Sequence, residues 1–457
     1  MYGFTTVCGN PATSETRQKG YAVSSIPDVK YAPAAANPQT LRRLSAVIVA
    51  TSLVTGLEIF DFTVYGFFAA MIGDQFFPAA NPMTSLLLAV GTFGVGFFVR
   101  PLGAAMIGAY ADRVGRRAAM TATCWLMALG TAAIGLCPPF ATIGLAAPLI
   151  VIVARLLQGF AVGGEIGAAA SLAMEAAPIS HRGWLVSWQL ASQGAAALLG
   201  ACLGLLLTSV MSPAYLASWG WRIPFLIGLL IAPAGVYVRR QLRETSIPTA
   251  TRTSVRTPLA ELCREHGATL IAATLMMSWR TVSFYIIVSY MPSYVTRVMH
   301  MPAIIGFRSS ALSALLLVVV SPLSGLLADR LPRRKPLVLL TSGATALLVY
   351  PLFLIITHAH GALPVLCSVG LISALLALGN GFNTLLVLEA LPARVRASGV
   401  ATSYALGVAL FGGTAQFIVT ALIEWTGDPI SAAWYVALAC LVSFCALILF
   451  REQRAQT

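Results

Sequence analysis

Gly108-Ala-Tyr-Ala-Asp112-Arg113-Val-Gly115-Arg116-Arg117 and Gly325-Leu-Leu-Ala-Asp329-Arg330-Leu-Pro332-Arg333-Arg334 are two copies of one polar motif, 217 residues apart, each closing a long apolar run. A second pair repeats at nearly the same offset: Glu175-Ala-Ala-Pro178 with Arg182, and Glu389-Ala-Leu-Pro392 with Arg396, 214 residues on. Two unrelated motifs repeating at one spacing point to an internal duplication. The polar stretch 239–266 lies between the copies and carries six Arg. It reads as a linker joining an N-terminal unit, 42–238, to a C-terminal unit, 267–450, with short tails at 1–41 and 451–457.

The surroundings of the motifs set the fold class. Of 457 residues 58% are apolar and only 10% are charged, where a soluble protein carries roughly a quarter charged. Mean hydropathy is +0.82. Apolar runs fall near 44–73, 84–109, 118–137, 146–175, 184–210, 221–238, 267–291, 303–328, 336–357, 363–390, 398–423 and 431–450. Each approaches or exceeds the roughly 20 residues that a helix needs to cross a bilayer. Lipid offers no partner to backbone N–H and C=O groups, so runs of this length are expected as helices. The predicted fold class is an all-α polytopic membrane protein with 12 transmembrane helices, six on either side of the linker.

The chain carries 29 Lys and Arg against 16 Asp and Glu, a net +13. Retention of basic residues in cytoplasmic loops sets topology. With the amino terminus inside, 23 of the 29 fall on the cytoplasmic side, in the tail and the alternate loops. Both termini are therefore expected in the cytoplasm, the first 41 residues as a Pro-, Ser- and Asn-rich disordered tail, and the chain in the inner (cytoplasmic) membrane of a cell. Basic residues dealt out loop by loop do not make a nucleic-acid surface. The eight cysteines show no CxxC or zinc-ligand spacing, which argues against a disulfide framework or a metal. No HExxH, GxSxG or phosphate loop occurs, so an enzyme is not expected.

The Asp-Arg-x-Gly-Arg-Arg loop, its second copy, and Arg155-Leu-Leu-Gln158-Gly159 resemble signature motifs of the major facilitator superfamily. Glu58-Ile-Phe-Asp61, Phe98-Val-Arg100-Pro101, Gly163-Gly164-Glu165, Trp219-Gly-Trp221-Arg222-Ile-Pro224 and Phe411-Gly412-Gly413 narrow the likeness to its metabolite:proton symporter branch. Thr142 to Pro148 and Ser187-Trp188-Gln189-Leu-Ala-Ser192-Gln193 are most similar to citrate and tricarballylate transporters. The likeness runs from about residue 42 to 450. It implies two six-helix halves and import of a small organic anion by alternating access, with protons as the coupling ion and no other cofactor, in a chain working as a monomer within the lipid bilayer. Transport of 2-oxoglutarate, shikimate, betaine or proline, or a non-transporting sensor on the same fold, are the alternatives. The second motif copy departs from the family with Pro332 in place of Gly, and Arg280 stands where citrate carriers have small hydroxyl residues.

Charges inside the spans are the candidate mechanism, because a charge at a helix centre costs on the order of 2.5–3.5 kcal/mol on insertion scales. Asp61 is expected to carry the proton, with Glu58 and Glu165 as further coupling acids. One of Glu58 and Asp61 is alternatively a structural partner of Arg155 or Arg100, and Glu58 is the better candidate for that pair. Arg100 and Arg280 offer permanently charged planar forks for substrate carboxylates, one from each half. Gln189, Gln193, Tyr65, Tyr285, Asn380 and Asn383 are candidate hydrogen-bonding groups for the ligand, weighed against ordinary interhelical contacts. Asp112, Arg113, Gly115, Arg116, Arg117, Asp329, Arg330, Glu175, Arg182, Glu389 and Arg396 are assigned to gating, Asp112 through a neighbouring helix N-terminus. Glycine clusters such as Gly163, Gly164 and Gly167 read as close helix packing.

Overall fold

A computed structural model describes residues 56, 58–114, 116–163, 182–229, 262, 264–391, 393–450 and 452. Residues 43–457 form one unit and residues 1–42 a separate one, which lies outside the described residues together with most of the linker. Side chains at Asp112, Arg116, Arg117 and Arg396, and residues Gly115, Glu165 and Glu175 entirely, also lie outside them.

Every described element is helical. Among the described residues eight helices are long and apolar enough to cross a membrane: Pro82–Ile107, Arg182–Val210, Gly267–Val298, Ala303–Arg330, Lys335–Thr357, Ala362–Ala390, Gly399–Thr426 and Ser431–Leu449. Thr121–Leu136 and Ala146–Val162 are shorter apolar helices. The expected first and sixth spans run into 44–55 and 230–238, outside the described residues. Helix ends follow local chemistry. Asn81 caps Pro82–Phe98 by accepting from the Met83 N–H at 2.9 Å, with Pro82 in the first turn, where its missing N–H costs nothing. Gly427, at φ +69°, turns the chain out of Gly413–Thr426 in the left-handed conformation that glycine adopts freely.

The surface is the reverse of a soluble protein's. Leu347, Leu449 and Trp425 expose about four-fifths of their area, while Ser313, Ser373, Asn383 and Gln416 are fully buried. Exposed apolar side chains of this size match lipid, and the buried Ser373 hydroxyl finds a partner inside, donating to Ser313 at 2.8 Å.

Two close helix approaches position the site. Arg182–Val210 runs antiparallel to Ala303–Arg330, with Gly183 against Gly325, Gly194 against Leu317 and Gly204 against Phe307. On the other side, Ala146–Val162 presses on the helices 82–98 and 100–114. A Cβ on Gly159 would stand 1.8 Å from the Gly96 carbonyl oxygen, so only glycine permits that approach. Two helices widen into π-helical turns: Phe284–Tyr290 and Tyr294–Val298 in one, Val408–Gly412 in the other. Such turns concentrate at functional sites.

Candidate functional site

The first cluster is a closed ring of polar side chains in the first half of the sequence. Arg155 donates through one terminal nitrogen to Asp61 Oδ2 at 3.3 Å and to Gln158 Oε1 at 2.7 Å. The Gln158 amide donates to the Thr131 hydroxyl at 3.0 Å, and that hydroxyl lies 2.8 Å from Asp61 Oδ1. Arg155 is fully buried. Its guanidinium carbon sits 3.8 Å from the centre of the Tyr65 ring and 5.4 Å from that of Phe62, so aromatic faces cover the nitrogens that make no hydrogen bond. The ion pair of Arg155 is therefore with Asp61 and not with Glu58, which corrects the sequence expectation. Thr131 and Gln158 stand at the level of Asp61 and complete its shell; Glu58, one helical turn earlier, is buried and has its own interaction.

The second cluster lines a narrow pocket of about 10 Å³. Gln193 comes from Arg182–Val210, Arg280 and Thr281 from Gly267–Ser283, Phe284 and Tyr285 from the π-helical turn, Asn380 from Ala362–Ala390, and Tyr404 from Ala393–Gly407. The cavity wall thus draws on both halves of the sequence. Arg280 is buried, with Met277 Sδ at 3.7 Å and its guanidinium carbon 5.4 Å from the centre of the Tyr404 ring. Among the described residues no carboxylate pairs with it. Arg100 is equally buried but lies behind the wall, 4.1 Å from the Phe97 ring centre and 4.8 Å from that of Phe62. Tyr285 interacts electrostatically with both guanidinium groups, and its ring meets Phe93 and Phe97 edge to face.

The other candidates separate cleanly. Tyr65 donates to the Ala89 carbonyl at 3.0 Å and Asn383 to the Met276 carbonyl at 3.2 Å. Both are interhelical contacts, as is common for polar groups in membrane helices, and neither lines the cavity. Gln189 is half-buried and also outside the wall. Thr131, Thr281, Phe284 and Tyr404 are not singled out by the sequence.

Contacts between the two halves of the sequence close both ends. At the end bearing the arginine-rich loops, Asp329 accepts from the Gly183 and Trp184 N–H groups at 2.7 and 2.9 Å, in the first turn of Arg182–Val210. Asp112 was the expected partner of a helix N-terminus; it lies outside the described side chains, and its counterpart in the second copy makes that contact despite Pro332. Arg334 pairs with Glu389 and donates its backbone N–H to Glu452 at 2.7 Å. Arg113 and Arg330 are exposed, and Arg182 is half-buried. At the opposite end Arg297 pairs with Asp74. There Glu424 accepts from Asn81 Nδ2 at 3.3 Å and the Thr84 hydroxyl at 2.8 Å.

Comparison with known proteins places the chain in a family. The chain is 38% identical to the citrate-proton symporter of Klebsiella pneumoniae, over 88% of this chain and 91% of that one. It is 32% identical to the alpha-ketoglutarate permease of Escherichia coli K12, over 91% and 95%. A solved D-xylose-proton symporter superimposes with a TM-score of 0.73 at 16% identity, covering 89% of this chain and 97% of its own, which shows a shared fold. The family model of the Major Facilitator Superfamily matches residues 51–414. The protein is accordingly a multi-pass membrane protein and not an enzyme. The duplicated loop motif, the buried charges and the helical architecture have one source: the chain belongs to the Major Facilitator Superfamily.

Proposed function

We propose that this chain is a proton-coupled symporter that imports a small organic anion, with di- and tricarboxylates such as citrate or tricarballylate as the class that fits best. The observation that carries the reading is Arg280: a buried guanidinium on a cavity wall, with no carboxylate of its own among the described residues. Burying an ion without a counter-charge costs several kcal/mol, and an anionic ligand supplies what the protein withholds. Arg100, reached through Tyr285, adds a second positive charge behind the wall and favours ligands with more than one carboxylate. The names of the relatives, a citrate-proton symporter above all, support the same class.

Protons serve as the coupling ion in this reading, with no other cofactor, and Asp61 carries them. A proton on Asp61 removes the negative member of its pair with Arg155 and loosens the ring that ties the helix 58–67 to Ala146–Val162. Glu58 and Glu165 are the remaining carboxylates for that role. The two halves, 42–238 and 267–450, rock about the linker 239–266. Both termini face the cytoplasm, the membrane is the inner one, and a monomer suffices.

Uptake into vesicles under an imposed proton gradient tests the reading, with citrate, tricarballylate, 2-oxoglutarate, shikimate and betaine as competitors. Accumulation of a carboxylate that collapses with the gradient is expected. Inhibition by betaine and by none of the di- and tricarboxylates would overturn the anion reading, since betaine carries no net charge and only one carboxylate.

A further inference from the structure

We propose that Gln193 and Asn380 together read a hydroxyl group on the transported anion, so that the protein selects a hydroxylated polycarboxylate over the same acid without the hydroxyl. The inference rests on the carboxylate reading of the cavity. Gln193 and Asn380 reach the cavity from opposite halves of the sequence, both nearly fully buried, on the same wall as Arg280. Each amide has one sealed polar atom without a hydrogen-bond partner: Nε2 of Gln193, a donor, and Oδ1 of Asn380, an acceptor. Leu190, Phe284, Leu376 and Val408 in the lining are apolar, and the hydroxyls of Thr281, Tyr285 and Tyr404 bond to neither of these two atoms.

The chemistry of the missing partner follows from this pair. A carboxylate only accepts: it satisfies Arg280 and Gln193 Nε2 and leaves Asn380 Oδ1 unmatched. An ammonium only donates, and Arg280 opposes it. A hydroxyl does both, accepting from Nε2 and donating to Oδ1, and one such group completes both residues at once. Exchanging the nitrogen and oxygen ends of both amides leaves the same complementarity. The hydroxyl would also tie together a helix from each half, so its recognition and the closing of the cavity are one event. Sites that hydrogen-bond a substrate hydroxyl reject analogues lacking it, because their buried polar groups are then left unpaired.

Binding of citrate and of tricarballylate, which differ by that hydroxyl, is measured on the full-length protein in nanodiscs, with malate and succinate as a second such pair. The wild type is expected to prefer the hydroxylated acid in both pairs by roughly ten- to a hundredfold. Asn380→Leu and Gln193→Leu are each expected to bring the ratio to within about threefold of one. The ratio is taken within each variant, so lost expression does not move it, and the wild-type ratios stand even if a variant does not fold. Equal affinity of the wild type for both members of each pair, or a preference that survives in both variants, overturns the hydroxyl assignment and leaves the carboxylate reading standing. Failure of all four acids to bind the wild type overturns the carboxylate reading and this inference with it.

Discussion

Replacing Asp329 should open the end of the protein that bears the arginine-rich loops. The two hydrogen bonds from Gly183 and Trp184, at 2.7 and 2.9 Å, are charge-assisted, and such bonds contribute about 1.5–3 kcal/mol each. Asp329 is half-buried, so the lower value applies, and the two together come to about 3 kcal/mol. The carboxylate also faces the positive end of the helix dipole, worth roughly 0.3–1 kcal/mol at such a site. Asp329→Ala should therefore shift the equilibrium toward the open form by roughly three- to eight-hundredfold, while Asp329→Asn, which keeps an acceptor and loses the charge, should shift it by about tenfold. The assay is amide hydrogen exchange. Gly183 and Trp184 lie in the first turn of their helix, where N–H groups have no carbonyl four residues back within the helix, and Asp329 supplies their acceptor. Their exchange should accelerate in the order wild type, Asn, Ala. Unchanged protection of both amides in Asp329→Ala would refute the latch.

Asp61→Asn should abolish accumulation driven by a proton gradient and leave exchange of substrate across the membrane; vesicle uptake with and without the gradient separates the two, and normal accumulation would remove Asp61 from the coupling. Arg280→Lys keeps the charge but loses the planar fork, so carboxylate affinity should fall by roughly ten- to a hundredfold in the same assay. Gly159→Ala places a Cβ 1.8 Å from the Gly96 carbonyl and should lower thermal stability in detergent by more than about 1–3 kcal/mol, the usual cost of overpacking. Gly267→Ala, which meets nothing within 4 Å, should be neutral or stabilising by up to about 1 kcal/mol.

How far the sequence reached depended on the kind of information each feature needs. Spans are one-dimensional: a run of apolar residues such as 303–328 has few conformations open to it in lipid, and the helix Ala303–Arg330 appears where the run is. Repeated loop motifs are also one-dimensional, and the Asp329 copy lands at a helix N-terminus. Which acid meets Arg155 is different. Glu58 and Asp61 are three residues apart and equally suited by charge, and the choice is made by Thr131 and Gln158 on two other helices. The π-helical turns carry no periodic signature, yet one of them holds Phe284 and Tyr285 on the cavity wall. Tyr65 and Asn383 are polar groups in apolar spans like Asn380, and only the positions of Ala89 and Met276 show that each donates to a neighbouring helix and stays off the cavity wall.

Arg280 offers the sharpest test of whether function or stability placed a charge in the cavity. Arg155 is neutralised by Asp61, whereas Arg280 has a thioether and an aromatic ring for neighbours and no carboxylate among the described residues. Even paired buried ions can often be replaced by apolar residues of similar volume with a gain of about 1–4 kcal/mol. An unpaired one should yield at least that, unless its presence serves a ligand. Arg280→Met fills a comparable volume with a flexible apolar chain, and it should raise the unfolding temperature of the substrate-free protein. A carboxylate added at a hundred times its dissociation constant should stabilise the wild type by about 2.7 kcal/mol and should leave the variant's unfolding temperature where it was. Thermal unfolding in detergent, with and without citrate, measures both effects. A variant less stable than the wild type in the absence of ligand would show that Arg280 is held by interactions within the protein, and the anion reading would lose the observation on which it stands.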